Sequence, residues 1–340
     1  MVRVERGLFP HPVLVGDIGG TNARFALLPA PGAGLTRLPT QATHDHAGLE
    51  VALAASLAAV REAAPRSMLL CGAGPVLDGR RIVLTNAGWT LDGLEIARGL
   101  GLAQGLLLND FEAQALALPA LPADGFLDLT PDLAPRRGTR VVLGPGTGLG
   151  VGALADVDGR FLPLPSEGGH VGIGPANAEE EAYWPHIERI DGRVTAETLL
   201  SGPGLARLHR ARLAVAGRRP VETDGPTITE AALAGHSPDC RETVAAFLHL
   251  LATFAGDMAL AFGAAGGVHL SGGILPRLAP LIDAAAFRAA FAAKAPVAAF
   301  VRAIPLRLVT TPDAVLHGLA AIAERPDLYL LDWQARLWRP

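Results

Sequence analysis

The stretch Leu14-Val15-Gly16-Asp17-Ile18-Gly19-Gly20-Thr21-Asn22-Ala23-Arg24-Phe25-Ala26-Leu27 constrains this chain more than any other. An apolar run enters a glycine turn that opens on an acid, and a second apolar run leaves it. That pattern predicts two strands joined at the turn. Adjacent glycines let a backbone approach a ligand with no Cβ in the way. Successive N–H groups in such a turn form a concave nest suited to phosphate. A carboxylate at Asp17 would repel bare phosphate, and a hard divalent cation such as Mg2+ between them removes the conflict. An ordinary hairpin also uses paired glycines, but it needs neither the acid nor the Thr-Asn-x-Arg that follows.

A second turn of similar make begins the other half of the chain, at Val141-Val142-Leu143-Gly144-Pro145-Gly146-Thr147-Gly148-Leu149-Gly150-Val151. Gly148–Ala153 fits the loose G-x-G-x-x-A spacing of a dinucleotide fingerprint, but that fingerprint requires a helix directly after the glycines. Here a strand runs into an Asp158-Gly159 turn instead. A second phosphate-binding hairpin is the better reading, with Thr147 and the amides around Gly146 and Gly148 facing phosphate. Pro145 can offer no N–H. Lys294 is the only lysine, which excludes a Walker A loop, since no lysine stands beside a glycine turn.

Three further segments carry chemistry. Leu106-Leu107-Leu108-Asn109-Asp110-Phe111 ends a buried strand on an amide and an acid, where α/β sheets gather ligands. Asp110 is a natural general base for a hydroxyl, and it is also placed to be the N-cap of a helix over Phe111–Leu118. Leu164-Pro165-Ser166-Glu167-Gly168-Gly169-His170 holds an acid and an imidazole in a glycine frame, suited to adjacent hydroxyls. A metal at Glu167 and His170 lacks an evident third ligand. In Arg193-Val194-Thr195-Ala196-Glu197, Thr195 reads as a helix cap. Glu197 serves equally well as a complement to the helix dipole or as a substrate contact. Gly266–Leu275 reads as a strand ending in paired glycines before a helix, either a plain turn or a place where a flat ring meets the backbone.

With 340 residues the chain is long enough for two domains, and 18% charged with 50% hydrophobic residues marks it as globular. A net charge of −4 makes no electrostatic case for nucleic acid. Two distant cysteines, Cys71 and Cys240, suggest no disulfide framework and fit a reducing cytoplasm. The apolar run from Val244 to Phe262 raises the question of a membrane. Its polar residues His249, Thr253 and Asp257 recur every four positions, which fits a buried helix with one polar stripe. Helices are expected over Glu50–Ala63, Phe111–Leu118, Ala196–Leu200, residues 241–262 and Pro312–Glu324. Hairpin turns are expected at Asp78-Gly79 and Asp158-Gly159, an inter-domain crossing over Pro122–Thr139, and an exposed loop over Gly217–Pro226.

Taken together and in order, these motifs resemble the bacterial glucokinase family, in the actin/hexokinase/Hsp70-like ATPase superfamily. Ser201-Gly202-Pro203-Gly204-Leu205, Ser271-Gly272-Gly273 and Thr85-Asn86-Ala87-Gly88-Trp89 add to the likeness, which runs from about Val13 to Gly318. No cysteine stands near His170, so the chain resembles the zinc-free branch. The resemblance implies a two-domain α/β fold, ribonuclease H-like and of the actin/hexokinase type, with a catalytic cleft between domains. Residues 10–121 with 309–340 would form the smaller domain and 122–308 the larger. It makes Asp110 the catalytic base and Asn109, Asp110, Glu167, His170 and Glu197 the sugar ligands. Asp17, Gly19, Gly20, Thr21, Asn22, Gly146, Thr147, Gly148, Gly272 and Gly273 would hold Mg2+-ATP, with Asp17 on the metal through water. The implied activity is phosphorylation of the glucose 6-hydroxyl by a cytoplasmic homodimer that needs no membrane or nucleic acid. The alternatives are another hexose kinase, for mannose, fructose or an amino sugar, and a non-catalytic sugar-binding regulator.

Overall fold

The structure is a computed structural model and describes residues 6–58, 64–84, 87–221 and 223–340. The chain divides into two compact units. The first comprises residues 1–123, 154–164 and 311–340, and the second residues 124–153 and 165–310.

The first unit is built on a sheet of order Leu337–Trp338, Gln104–Asn109, Ser67–Gly72, Val13–Ile18, Asn22–Leu28, Thr36–Arg37. Val13–Ile18 pairs antiparallel with Asn22–Leu28, as the glycine turn predicts, and parallel with Ser67–Gly72. Ser67–Gly72 runs parallel to Gln104–Asn109 in turn. The central residues of these strands are apolar and buried, because both faces of the sheet are covered there, while Asp17 and Asn109 stand at or near strand ends and are only half-buried. Leu14, Ile18, Phe25, Met68, Leu70 and Leu107 share one core, which Trp338 closes from the far end of the chain. A Cβ at Gly105 would strike the Trp338 ring, and one at Gly16 would strike Leu70 and Phe25. Glycine at both positions therefore serves packing.

In the second unit, Phe126–Asp128, Leu306–Val309, Gly267–Leu270, Arg140–Pro145 and the first half of the Leu149–Val157 strand, to Ala153, are neighbours in that order. Arg140–Pro145 lies parallel to Gly267–Leu270, which lies parallel to Leu306–Val309. Each unit thus sets a strand, a glycine turn and a second strand beside two parallel strands. The similar openings of the two halves of the sequence reflect this shared plan.

Among the described residues one helix, Pro238–Ala261, is long and apolar enough to cross a membrane. It is a core helix: 61% of its most apolar window is buried. It packs against the Gly202–Val215, Gly225–Ala234 and Ala284–Ala292 helices. Its polar stripe is the uncovered one, with His249 and Asp257 exposed and Thr253 half-buried. Asp257 pairs with Lys294 Nζ at 2.5 Å.

Several expectations shift. The first predicted helix spans Leu49–Leu57, and residues 59–63 lie outside the described ones. The loop expected over Gly217–Pro226 is shorter, because Asp224 caps a helix that begins at Gly225. Gly202–Val215 was not anticipated as a helix, since Gly202-Pro203-Gly204 reads as a breaker. Ser201 caps it, accepting the Gly204 N–H at 3.0 Å, and proline is tolerated in a first helical turn. Both Asp-Gly hairpin turns form, with Asp78, Gly79, Asp158 and Gly159 all at positive φ.

Candidate functional site

In the first unit the strand ends bring two acids together. Register places Asp17 beside Cys71, and Cys71 beside Leu108, one strand further on. Asp110 follows at the first position of the Asp110–Ala117 helix. The cap is Asn109 and not Asp110: Asn109 Oδ1 accepts the N–H of Phe111 at 2.9 Å and of Glu112 at 3.2 Å. The Asn109 amide donates to the Gly74 carbonyl at 3.1 Å, so the side chain is held at both ends. The Asn109 side chain also hydrogen-bonds the Asp110 carboxyl, so it links the strand end, the helix and the acid.

With Asn109 as cap, Asp110 is released from that task. Burial, reinforced by the Asp17 charge, pushes its carboxyl up to about 7, against the opposing hydrogen bond from the Phe111 N–H at 2.9 Å. Asp17 is raised too, mainly by burial, while Arg24 at 3.3 Å pulls it back. The buried Cys71 thiol donates to Asp17 Oδ1 at 3.5 Å. Arg24 also approaches Asp313 at 3.9 Å, and Arg37 meets the same acid at 3.3 Å. Sequence reading assigned no part to Cys71 or Asp313. Neither carries a local signal, because each reaches Asp17 only through the sheet and the C-terminal segment.

The glycine turn between Ile18 and Asn22 closes on itself. Gly19 donates its N–H to the Asn22 carbonyl at 2.9 Å, and Thr43 N–H binds the Thr21 carbonyl at 2.9 Å. Gly19 N–H is thus bonded within the turn. Gly20 and Thr21 stand at the tip, half-buried and exposed.

In the second unit, three separated segments converge. Glu197 lies in the helix Ala196–Leu199, whose cap is Thr195, as expected, in a reciprocal box with Thr198. Glu197 Oε2 accepts the Leu149 N–H at 2.8 Å, which ties it to the second glycine turn. A Cβ at Gly148 would collide with that carboxylate, which explains glycine there. His170 sits at the end of the short turn Gly168–His170, 3.9 Å from both Glu167 Oε2 and Glu197 Oε1. Glu167 is the most open of the three, at 76% side-chain exposure. Gly169 packs against the Leu149 carbonyl with no room for a Cβ. An acid, an imidazole and a second acid in one exposed cluster can each bond to neighbouring hydroxyls.

The second turn also closes locally. Gly146 donates to the Gly148 carbonyl at 2.8 Å and accepts the Gly202 N–H at 2.8 Å. Gly146, Thr147 and Gly273 nonetheless line one cavity of about 1010 Å3, with Leu205, Ile274 and Arg277 also in its wall. Gly272 stands at φ +90°, pressed against the backbone of Gly144 and Pro145, a position that favours glycine. Arg277 carries no local signal of a role in this wall, because only the fold brings it beside Gly146 and Thr147. Ala87, Gly88 and Trp89 are described, and Trp89 donates to the His46 carbonyl at 3.1 Å. Thr85 and Asn86 of that expected segment lie outside the described residues.

Two α/β units on a shared plan, with glycine turns and with acids at strand ends, define the two-domain, hexokinase-like class of sugar-phosphorylating enzymes. The glucokinase family model matches residues 14–326. Glucokinase from Sinorhizobium fredii is 44% identical over 331 residues, covering 97% of each chain. A solved glucokinase from an Antarctic psychrotroph is 33% identical, covering 92% of this chain and 98% of its own, with a TM-score of 0.81. A glucokinase from Balamuthia mandrillaris, solved with glucose, shares the fold at TM-score 0.73 and 22% identity over 92% and 93% of the two chains. The chain belongs to the glucokinase family.

Proposed function

We propose that this protein is an ATP-dependent glucokinase, transferring the γ-phosphoryl group of ATP to the 6-hydroxyl of D-glucose with Asp110 as general base. The observation that carries the assignment is Asp110 itself. It is a half-buried carboxyl, relieved of capping by Asn109 and raised to about 7, where a base is effective near neutral pH. Asp110 takes the hydroxyl proton as the bond from O6 to phosphorus forms. The bond from phosphorus to the β,γ-bridging oxygen breaks, and ADP leaves with that electron pair.

Asn109, Glu167, His170 and Glu197 bind sugar hydroxyls in this reading. The His170 and Glu197 contacts support it, since they orient the ring and the acid before a ligand arrives. The cavity lined by Gly146, Thr147 and Gly273 takes the nucleotide, with Leu205 and Ile274 as the apolar walls a purine needs. Gly20, Thr21, Asn22, Thr147, Gly148 and Gly272 complete the nucleotide set.

Asp17 fits a Mg2+ ion as its single carboxylate ligand, reached through water. It is a half-buried acid raised above its ordinary value, so a nearby cation would favour its charged form. Among the described residues no group of three or more acids, histidines or cysteines is placed to enclose a metal, which agrees with an ion held mostly by water and phosphate. When bound, Mg2+ would supply positive charge to the β- and γ-phosphate oxygens. Residues 10–121 with 309–340 are proposed as the small domain and 122–308 as the large one. A cytoplasmic homodimer completes the reading.

The test is ADP release from Mg2+-ATP with glucose, mannose, fructose, glucosamine, N-acetylglucosamine and no sugar. Turnover highest on glucose supports the proposal. Preference for another sugar keeps the chemistry and overturns the substrate. No turnover with any sugar overturns the kinase reading.

A further inference from the structure

Apart from the residues assigned above, the second unit holds another cavity, of about 470 Å3. It lies among the helices Ala178–Tyr183, Gly202–Val215 and Pro238–Ala261. Its charge is unbalanced: Glu179, Glu180 and Glu242 line it, against Arg212. Arg212 is already engaged, 3.3 Å from both Glu179 and Glu242 and donating to Thr243 Oγ1 at 3.2 Å. Glu180 is the buried acid of the set, at 4% side-chain exposure. It accepts the Ala176 N–H at 2.6 Å and the Asn177 amide at 3.0 Å, and His249 Nε2 lies 3.5 Å away. No arginine or lysine among the described residues pairs with it. A buried carboxylate without a permanent counter-charge is costly, and a cation from solution would offset that cost.

Tyr183 supplies a second, independent sign of a ligand. It is 2% exposed and lines the cavity, and its hydroxyl has no hydrogen-bond partner among the described residues. Burial, with Glu180 and Glu179 nearby, raises its phenol well above the ordinary range, so it remains an O–H. A hydroxyl can both donate and accept, so one that lines the cavity without a protein partner can serve a ligand in either sense. A bare metal ion is a poor match, because no three-ligand group exists here among the described residues. Ala245 and Ala246 give the cavity an apolar wall.

We propose that this cavity binds a small organic ammonium, a protonated primary amine on a short alkyl chain. Its ammonium group donates to the Glu180 carboxylate and the Tyr183 oxygen, and its chain lies along Ala245 and Ala246. A second amine, where present, reaches the Glu179–Arg212–Glu242 rim. This site is separate from the sugar and nucleotide residues and does not depend on the proposed activity.

Isothermal titration of the full chain with putrescine (1,4-diaminobutane) tests it, with succinate and Mg2+ as comparison probes. Saturable one-to-one binding of putrescine, absent for succinate and Mg2+, is expected. Tyr183→Phe removes only the hydroxyl and should weaken binding roughly tenfold. Ala246→Trp should abolish it by filling the cavity, and thermal melts confirm that both variants fold. The proposal is overturned if putrescine gives no saturable binding, if both folded variants bind like wild type, or if succinate or Mg2+ binds in its place.

Discussion

Replacing Asp110 by asparagine should move activity and stability in opposite directions. The carboxyl has an ordinary value of 3.8 and is raised to about 7 in the folded chain. Between those values the folded state binds more protons than the unfolded state, so this group's contribution to stability falls as pH rises from about 4 to about 7. A difference of about three units corresponds to a ceiling of about 4 kcal/mol at pH 8. Asp110 keeps some solvent contact, which screens the penalty, so a gain of about 1–3 kcal/mol is expected for Asp110→Asn at pH 8. Near pH 4 the gain should vanish. Asparagine keeps the shape and an acceptor for the Phe111 N–H, but it cannot take a proton. Turnover should fall by about 10²–10⁴, with the sugar KM little changed. Urea denaturation of both proteins without ligands at pH 4, 5, 6, 7 and 8, beside steady-state kinetics, provides both readouts. A stability difference that does not grow with pH would refute the burial argument. Turnover within a few-fold of wild type would refute the base assignment.

Further outcomes follow from the same geometry. In wild type, kcat/KM should lose activity on the acid side with a midpoint near 7, a limb that tracks Asp110 protonation and that a flat profile between pH 6 and 8 would contradict. Gly148→Ala should push the Glu197 carboxylate off the Leu149 N–H and raise the glucose KM several-fold, measured by initial rates; an unchanged KM would separate Glu197 from the sugar. Glu167→Ala and His170→Ala should mainly raise the sugar KM, and Asp17→Asn should raise the Mg2+ requirement roughly 10–100-fold, as read from metal titrations of the rate. Gly105→Ala places a methyl group in the Trp338 ring and should cost about 1–3 kcal/mol in a denaturant melt, with no change expected if Trp338 were loosely packed.

Much of this was legible in the sequence because the signals are local. Asp78-Gly79 and Asp158-Gly159 turn where they stand, since both residues of each pair adopt left-handed φ with little cost. The Gly16–Asn22 turn between two strands, and the repeat of that plan at Gly144–Gly150, could be read from alternating apolar runs and glycines. Thr195 as a cap could be read the same way. What failed locally also has a physical cause. Asn109 and Asp110 are both good caps, and only the fixed strand end, with the Asn109 amide tied to the Gly74 carbonyl, decides between them. The Gly202–Val215 helix has no clear local signal, because two glycines and a proline open it and its packing against the Pro238–Ala261 helix lies far along the chain.

The sequence by itself determined the family, the fold class and the order of the motifs. Those rest on interactions among residues a few positions apart and on patterns carried whole along the chain. Only the tertiary structure decided which motifs meet within each unit. Leu149, His170 and Glu197 come together across long stretches of chain, and so do Asp17, Cys71 and Asp313. Tertiary structure also raised the Asp110 carboxyl, by burial reinforced by the Asp17 charge. Desolvation and charge coupling depend on distances through space, and no spacing along the chain encodes them.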